Sequence, residues 1–217
     1  MALALLGILA ENRSVWDRRV PLTPSDIKVL KDKNPSLEII VQPSKIRIFK
    51  NSEYEAVGAK ISEDLSKCNL ILGVREVPLE KIISNTTYMF FGHMIKAQAK
   101  NMKLLDSLLE KKVRFIDYEK IVDENNKRLV YFGKIAGIAA CIDFLAGLGA
   151  LLLKKGISTP LLTISYSYKY FSLEEAKLNI EKVSGMLKYS GLPEGLCPIV
   201  FAITGKGKII NNLIRSF

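Results

Sequence analysis

Five short apolar runs recur along the first half of the chain, at Leu3–Leu9, Leu37–Val41, Leu70–Val74, Tyr88–Phe91 and Val113–Ile116. Each is too short for a buried helix and is bounded by polar or turn-forming residues, so each reads as a buried strand. Helical stretches separate them. Thr23 and Pro24 open a helix that runs to about Asp32, because threonine caps the first free amides and proline lacks the amide that would go unpaired there. Ser52 and Ser62 read as caps of two short helices at Glu53–Val57 and Glu63–Lys67, and Ala97–Lys111 is an amphipathic helix. Strand and helix in alternation predict an α/β fold with a doubly wound, mostly parallel sheet.

The second half is organised differently. Ile135–Leu153 is apolar except for Asp143 and contains Gly137, Gly147 and Gly149. About 20 apolar residues can span a bilayer, but an Asp near the midpoint costs about 2.5–3.5 kcal/mol on insertion scales, so a buried helix bridging two domains is expected and a membrane partner is not. Asn125 and Asn126 lie in a polar turn between Ile121 and Leu129 and suggest a hairpin. A boundary after it divides the chain into a substrate-side domain, 1–132, and a remainder, 133–217. Ser172 with Glu175 has the spacing of a capping box, Gly191 and Pro193 end the helix it opens, and Ile199–Thr204 reads as one more strand.

With 32 Lys and Arg against 22 Asp and Glu, the net charge of +10 suits an anionic partner. The basic residues between Lys96 and Lys112 alternate with Asp106 and Glu110 and are not interleaved with aromatics, so a small anion is expected and nucleic acid is not. Three widely spaced cysteines, Cys68, Cys141 and Cys197, form neither a disulfide framework nor a zinc site. They point to a reducing compartment. No signal or transit peptide is evident in Met1–Ala10, and a cytoplasmic location is expected.

Several residues carry candidate chemistry. His93, the only histidine, follows the strand Tyr88–Phe91, where open sheets line their ligand crevice. An unperturbed imidazole suits general acid or base work near neutral pH, although a loop histidine held by a carbonyl is the plain alternative. Arg13, Arg18 and Arg19 follow the first strand and Arg75 follows the third run, Leu70–Val74. Guanidinium forks match carboxylates, so these loops suit an acidic substrate, with surface charge as the alternative. Lys96 and Gln98 add donors close to His93. Gly205 and Gly207 after Ile199–Thr204 have the order of a dinucleotide turn, but the third glycine of the motif is replaced by Ile210 and a plain strand-to-helix turn reads equally well.

The blocks ENRSVWDRRVPLTP at Glu11–Pro24, IIVQPS at Ile39–Ser44, SEDLSKCNLILGV at Ser62–Val74 and FFGHMIKAQ at Phe90–Gln98 resemble the lysine-ketoglutarate reductase portion of the bifunctional lysine-ketoglutarate reductase/saccharopine dehydrogenases. IDYEKIVD at Ile116–Asp123, FGKIAG at Phe132–Gly137 and GLPEGLCPIVFAITGKG at Gly191–Gly207 continue the resemblance, the last block in a plant-like form. More distantly, RVPLTP resembles the N-terminal domain of alanine dehydrogenase and transhydrogenase. The resemblance implies an oxidoreductase of lysine degradation that condenses L-lysine with 2-oxoglutarate and reduces the imine with NADPH to saccharopine. It implies that Arg19 binds substrate carboxylate, that His93 is the acid/base, that Glu119 orients the amine, that Arg75 shares in catalysis, and that Gly205 and Gly207 approach the cofactor pyrophosphate.

Departures from the family pattern qualify these roles. Arg75 stands where the family has lysine, and a guanidinium stays protonated, so it binds rather than transfers protons. GKGKI replaces the family's GTGNV. The expectation is a nucleotide-binding domain present only as its opening, and a chain inactive alone. A non-catalytic relative that binds anions or associates with a full-length enzyme is the competing reading, and homo-oligomerisation is left open.

Overall fold

The computed structural model describes residues 4–11 and 14–204. The chain divides into two compact units, Met1–Tyr131 and Phe132–Phe217.

In the first unit six strands form one sheet: β1 (Leu5–Ile8), β2 (Glu38–Val41), β3 (Lys60–Ile61), β4 (Leu70–Leu72), β5 (Thr87–Phe90) and β6 (Arg114–Asp117). The order is β3-β2-β1-β4-β5-β6, with every pairing parallel. Side chains alternate between the two faces. Leu6, Ile8, Ile39, Val41 and Leu72 join Ile27 of α1 (Pro24–Lys33) and Tyr54 of α2 (Asn51–Ala56) in one core. Ile71, Tyr88 and Phe90 join Leu104 and Leu108 of α3 (Ala99–Glu110) in the other. The sheet is therefore covered on both faces, as the near-continuous apolar runs require.

Local chemistry sets the element ends. Thr23 caps α1 through Asp26 N, and Asp26 reaches back to Thr23 N at 2.8 Å. The hairpin after β6 forms as its turn residues predict: Val122 bridges Arg128, Leu129 N donates to Ile121 O at 2.9 Å, and Asp123 Oδ1 accepts from Asn125 N and Lys127 N.

Four sequence expectations need correction. No helix forms over 63–67. Ser62 Oγ accepts from Asp64 N and Asp64 Oδ1 accepts from Ser66 N, and these local bonds compete successfully with a helical turn. The helix α2 begins at Asn51, so Ser52 lies inside its first turn, and Glu53 Oε2 takes the Lys50 amide at 2.6 Å. The box at Ser172 is half formed: Ser172 Oγ accepts from Glu175 N, but Glu175 reaches past it to Phe171 N. Residues 199–204 are not a strand. The described part of the second unit holds no other strand, and a lone strand has no ladder in which to pair its amides and carbonyls.

The second unit contains α4 (Gly133–Lys154) and α5 (Leu173–Ser190), joined by short 3-10 turns. Ile142, Ala146 and Leu152 pack with Leu161, Ile164, Ala176 and Val183. Gly149 permits a close approach, since a Cβ there would sit 2.8 Å from the Leu161 carbonyl carbon. The helix α4 is long and apolar enough to cross a membrane. One stripe of it is instead buried within the unit, and Asp143 Oδ1 accepts from Ser167 N at 2.6 Å. Ile135, Phe144, Leu151 and Leu153 on α4 remain exposed.

Candidate functional site

The carboxyl ends of β4, β5 and β6 converge on a cavity of about 350 Å³ lined by Arg75, Glu76, His93, Lys96, Gln98, Lys100, Asn101 and Glu119. The expected residues arrive on three loops: Arg75 beyond β4, His93, Lys96 and Gln98 between β5 and α3, and Glu119 beyond β6. Parallel strands bring their exits to one edge of the sheet, so positions far apart in sequence become neighbours.

The imidazole is held from several sides. His93 Nδ1 lies 3.4 Å from Glu119 Oε2, and Glu119 Oε1 lies 3.2 Å from Arg128 on the hairpin. Glu119 is nearly buried, whereas the His93 side chain is 48% exposed; the acid is shielded and the ring can meet a ligand. The ring stacks on Phe91 at 6.1 Å, and Phe91 packs against Tyr118 at 5.0 Å. His93 has φ +50°, a left-handed conformation unusual for a non-glycine residue. Asn101 Nδ2 anchors it by donating to His93 O at 2.7 Å. The preceding Gly92 is required by crowding, because a Cβ there would lie 2.7 Å from Met94 Cε and 2.8 Å from the Phe115 ring.

Cations also line the cavity. Arg75 Nε faces Glu76 Oε2 at 3.6 Å, an ion pair too long for a hydrogen bond. Lys96 and Lys100 join Arg75 in the lining. The first turn of α3 also lines the cavity and has no side-chain cap, so its partial positive charge favours an anion there.

Glu11 ties the loop beyond β1 to this region. It is buried, its Oε1 accepts from Val74 N at 2.6 Å and its Oε2 from Arg75 N at 3.1 Å. Burial pushes its carboxyl above the usual carboxylate range, against the pull of those two amides. Burial also pushes the Tyr118 phenol up to about 12, with the Glu11 charge adding to the effect. Tyr118 is thus neutral at any physiological pH.

Arg19 is on the same edge but not in the cavity lining. Its Nε and a terminal nitrogen engage Asp17 Oδ1 and Oδ2 at 2.8 and 2.6 Å. The Arg19 fork holds the Asp17 carboxyl below its usual range. The Arg19 loop is stapled to the loop after β2, with Ile48 N donating to Arg18 O and Arg18 Nε to Ile46 O. Arg13, Gly205 and Gly207 lie outside the described residues.

Sequence reasoning missed Glu76, Lys100, Asn101 and Arg128 within or behind the cavity, and Glu11 beneath it. Glu76, adjacent to Arg75, and Lys100 and Asn101, just past Gln98, carried a local signal; Arg128 and Glu11 depend on chain crossings. Among the described residues no group of three or more His, Cys, Asp or Glu side chains could hold a metal ion.

Residues 7–139 match the family model of the alanine dehydrogenase/PNT N-terminal domain. The chain belongs to this family. Within the family it is similar to alpha-aminoadipic semialdehyde synthase of Arabidopsis thaliana, 47% identical over 209 residues, covering 94% of this chain and 20% of that protein. The mitochondrial alpha-aminoadipic semialdehyde synthase of Bos taurus is 37% identical over 206 residues, covering 95% of this chain and 22% of the relative. The chain thus spans about a fifth of the length of these two relatives. A saccharopine dehydrogenase [NAD(+), L-lysine-forming] of Yarrowia lipolytica is 30% identical over 139 residues, covering 62% of this chain and 37% of that one. The family fold appears in a solved L-alanine dehydrogenase, with a TM-score of 0.52 at 15% identity over 70% of this chain and 42% of the other. The resemblance drawn from the sequence blocks and the expected α/β sheet are both confirmed.

Proposed function

We propose that this chain forms the substrate-binding part of a lysine-ketoglutarate reductase, which joins L-lysine to 2-oxoglutarate and reduces the product to saccharopine. The observation that carries the reading is the gathering of Arg75, His93, Lys96, Gln98 and Glu119 around one cavity, alongside 47% identity to a plant alpha-aminoadipic semialdehyde synthase.

The chemistry assigns each residue a task. A dicarboxylic ketone needs cations, which Arg75, Lys96 and Lys100 supply. The lysine ε-ammonium must lose a proton before its nitrogen attacks the ketone carbon. His93, with Nδ1 turned to Glu119, would take that proton at Nε2 and return one to the departing water. Loss of water from the carbinolamine, protonated on its hydroxyl, leaves an iminium ion, whose carbon would take a hydride to give the secondary amine of saccharopine. Arg75 cannot share the proton work, so its role is to bind. Arg19 would contribute only by exchanging Asp17 for a substrate carboxylate.

NADPH is the proposed hydride donor for the reaction. The described residues do not build its cradle: 199–204 has no strand pairing to present a glycine turn, and no step of this chain is routed through the nucleotide. This chain alone is therefore expected to show no NADPH oxidation with lysine and 2-oxoglutarate, followed by absorbance, yet to bind 2-oxoglutarate saturably in a calorimetric titration. Heat of dilution alone in that titration would overturn the reading. A cytoplasmic location is part of the same proposal; the three free cysteines support a reducing compartment.

A further inference from the structure

The winding of the sheet reverses between β1 and β4, and beyond their paired residues the two backbones part company. Leu9 N still donates to Leu72 O at 2.9 Å. In a parallel ladder the next bond in register would run from Val74 N to Leu9 O. That amide donates instead to Glu11 Oε1 at 2.6 Å, and the following one, Arg75 N, to Glu11 Oε2 at 3.1 Å. On the β5 side the ladder continues, with Gly73 N donating to Met89 O at 3.0 Å and Phe91 N to Val74 O at 3.2 Å. One side chain thus supplies the acceptors that the departing strand no longer provides.

A carboxylate suits this place better than any neutral side chain. It offers two oxygens to two successive amides, whereas a carboxamide would turn an N–H against one of them. Burying the charge is costly unless it is hydrogen-bonded; Glu11 is 8% exposed, and the two amide bonds offset that penalty. The seat is tight, since a Cβ on Gly73 would lie 2.9 Å from Leu9 Cδ1 and 3.6 Å from Glu11 Oε1. Glu11 does not line the His93 cavity, but Arg75, whose amide it holds, does. Arg75 Nε stands 3.6 Å from Glu76 Oε2, beyond hydrogen-bond reach, so the guanidinium takes its aim from the backbone that carries it.

We propose that Glu11 is a positioning residue for the dicarboxylic ketone: by occupying the Val74 and Arg75 amides it holds the Arg75 guanidinium at the cavity without touching the ligand. The role rests on the lysine-ketoglutarate reductase reading. It is tested by a double-mutant cycle on the full chain, titrated calorimetrically with 2-oxoglutarate. Glu11→Ala is expected to weaken binding about tenfold, and Glu11→Gln, which keeps one acceptor, about threefold. In the Arg75→Ala background each is expected to change binding by less than about twofold, because Glu11 acts through that guanidinium. A residue that merely stabilised the fold would weaken binding by the same factor in both backgrounds. Glu11→Ala strips two buried amides of their acceptor and lowers the melting temperature; should it fail to fold, Glu11→Gln carries the same cycle. Losses that multiply across the cycle, or Glu11 variants that bind like the wild type, would overturn this role and leave 2-oxoglutarate binding standing. A wild type that does not bind would overturn the reductase reading and this role with it.

Discussion

The loop beyond β1 and the loops beyond β4, β5 and β6 both bring guanidinium groups to the same edge of the sheet, yet only the latter keep them facing a cavity. Arg19 is closed onto Asp17 by two short hydrogen bonds. Arg75 meets Glu76 only at 3.6 Å and lines open space with two lysines. The difference teaches that counting arginines does not locate an anion site. What decides is whether the protein supplies its own carboxylate at bonding distance, because a bidentate pair must be broken before a ligand can use the same fork.

The comparison can be broken hardest from below. Phe90 is fully buried, 4.7 Å from the Phe115 ring and edge-on to Tyr88, at the end of the strand that delivers His93. Phe90→Ala should cost about 3–5 kcal/mol in chemical denaturation. Such a loss should disturb the cavity more than the Arg19–Asp17 clasp, whose two hydrogen bonds lie within the loop beyond β1.

Replacing each arginine in turn sharpens the contrast. Arg75→Ala should weaken 2-oxoglutarate binding by roughly tenfold or more, the range for a hydrogen bond to a charged group. Arg19→Ala should weaken it only a few-fold, since its fork is already occupied. Equal losses in paired calorimetric titrations would erase the distinction.

The smallest effect concerns pH. Because Arg19 lowers the Asp17 carboxyl, the pair contributes stability above the ordinary Asp range, near 3.8, and loses it as pH falls through the folded value. Asp17→Asn should therefore cost about 1 kcal/mol at neutral pH, modest because Arg19 is 43% exposed. The gap to wild type should close as the pH approaches 2. Melting curves across that interval check the sign, and a gap that widened in acid would be inconsistent with the pair.

Much of this arrangement is legible in the sequence. The strands are visible because parallel, doubly covered strands leave continuous apolar runs, as at Leu70–Leu72 and Thr87–Phe90. His93 and Arg75 are legible because parallel strands must all point their exits one way, whereas Glu119 is legible only through the family resemblance. Arg128 is not, because its approach to Glu119 depends on how a hairpin folds back. Ile199–Thr204 has strand composition and no partner, and pairing is a property of the neighbourhood. The hydrogen bonds from Ser62 and Asp64 that replace a helix arise from the same residue types that cap one, so local sequence could not separate the two outcomes.

His93 is the only histidine in the chain, so the untagged protein gives a single imidazole signal in nuclear magnetic resonance. If the cavity beyond β4, β5 and β6 receives the dicarboxylic ketone, adding 2-oxoglutarate should shift that signal saturably in the wild type and not in Arg75→Ala. A signal that stays in place while the ketone binds elsewhere on the chain would contradict the account.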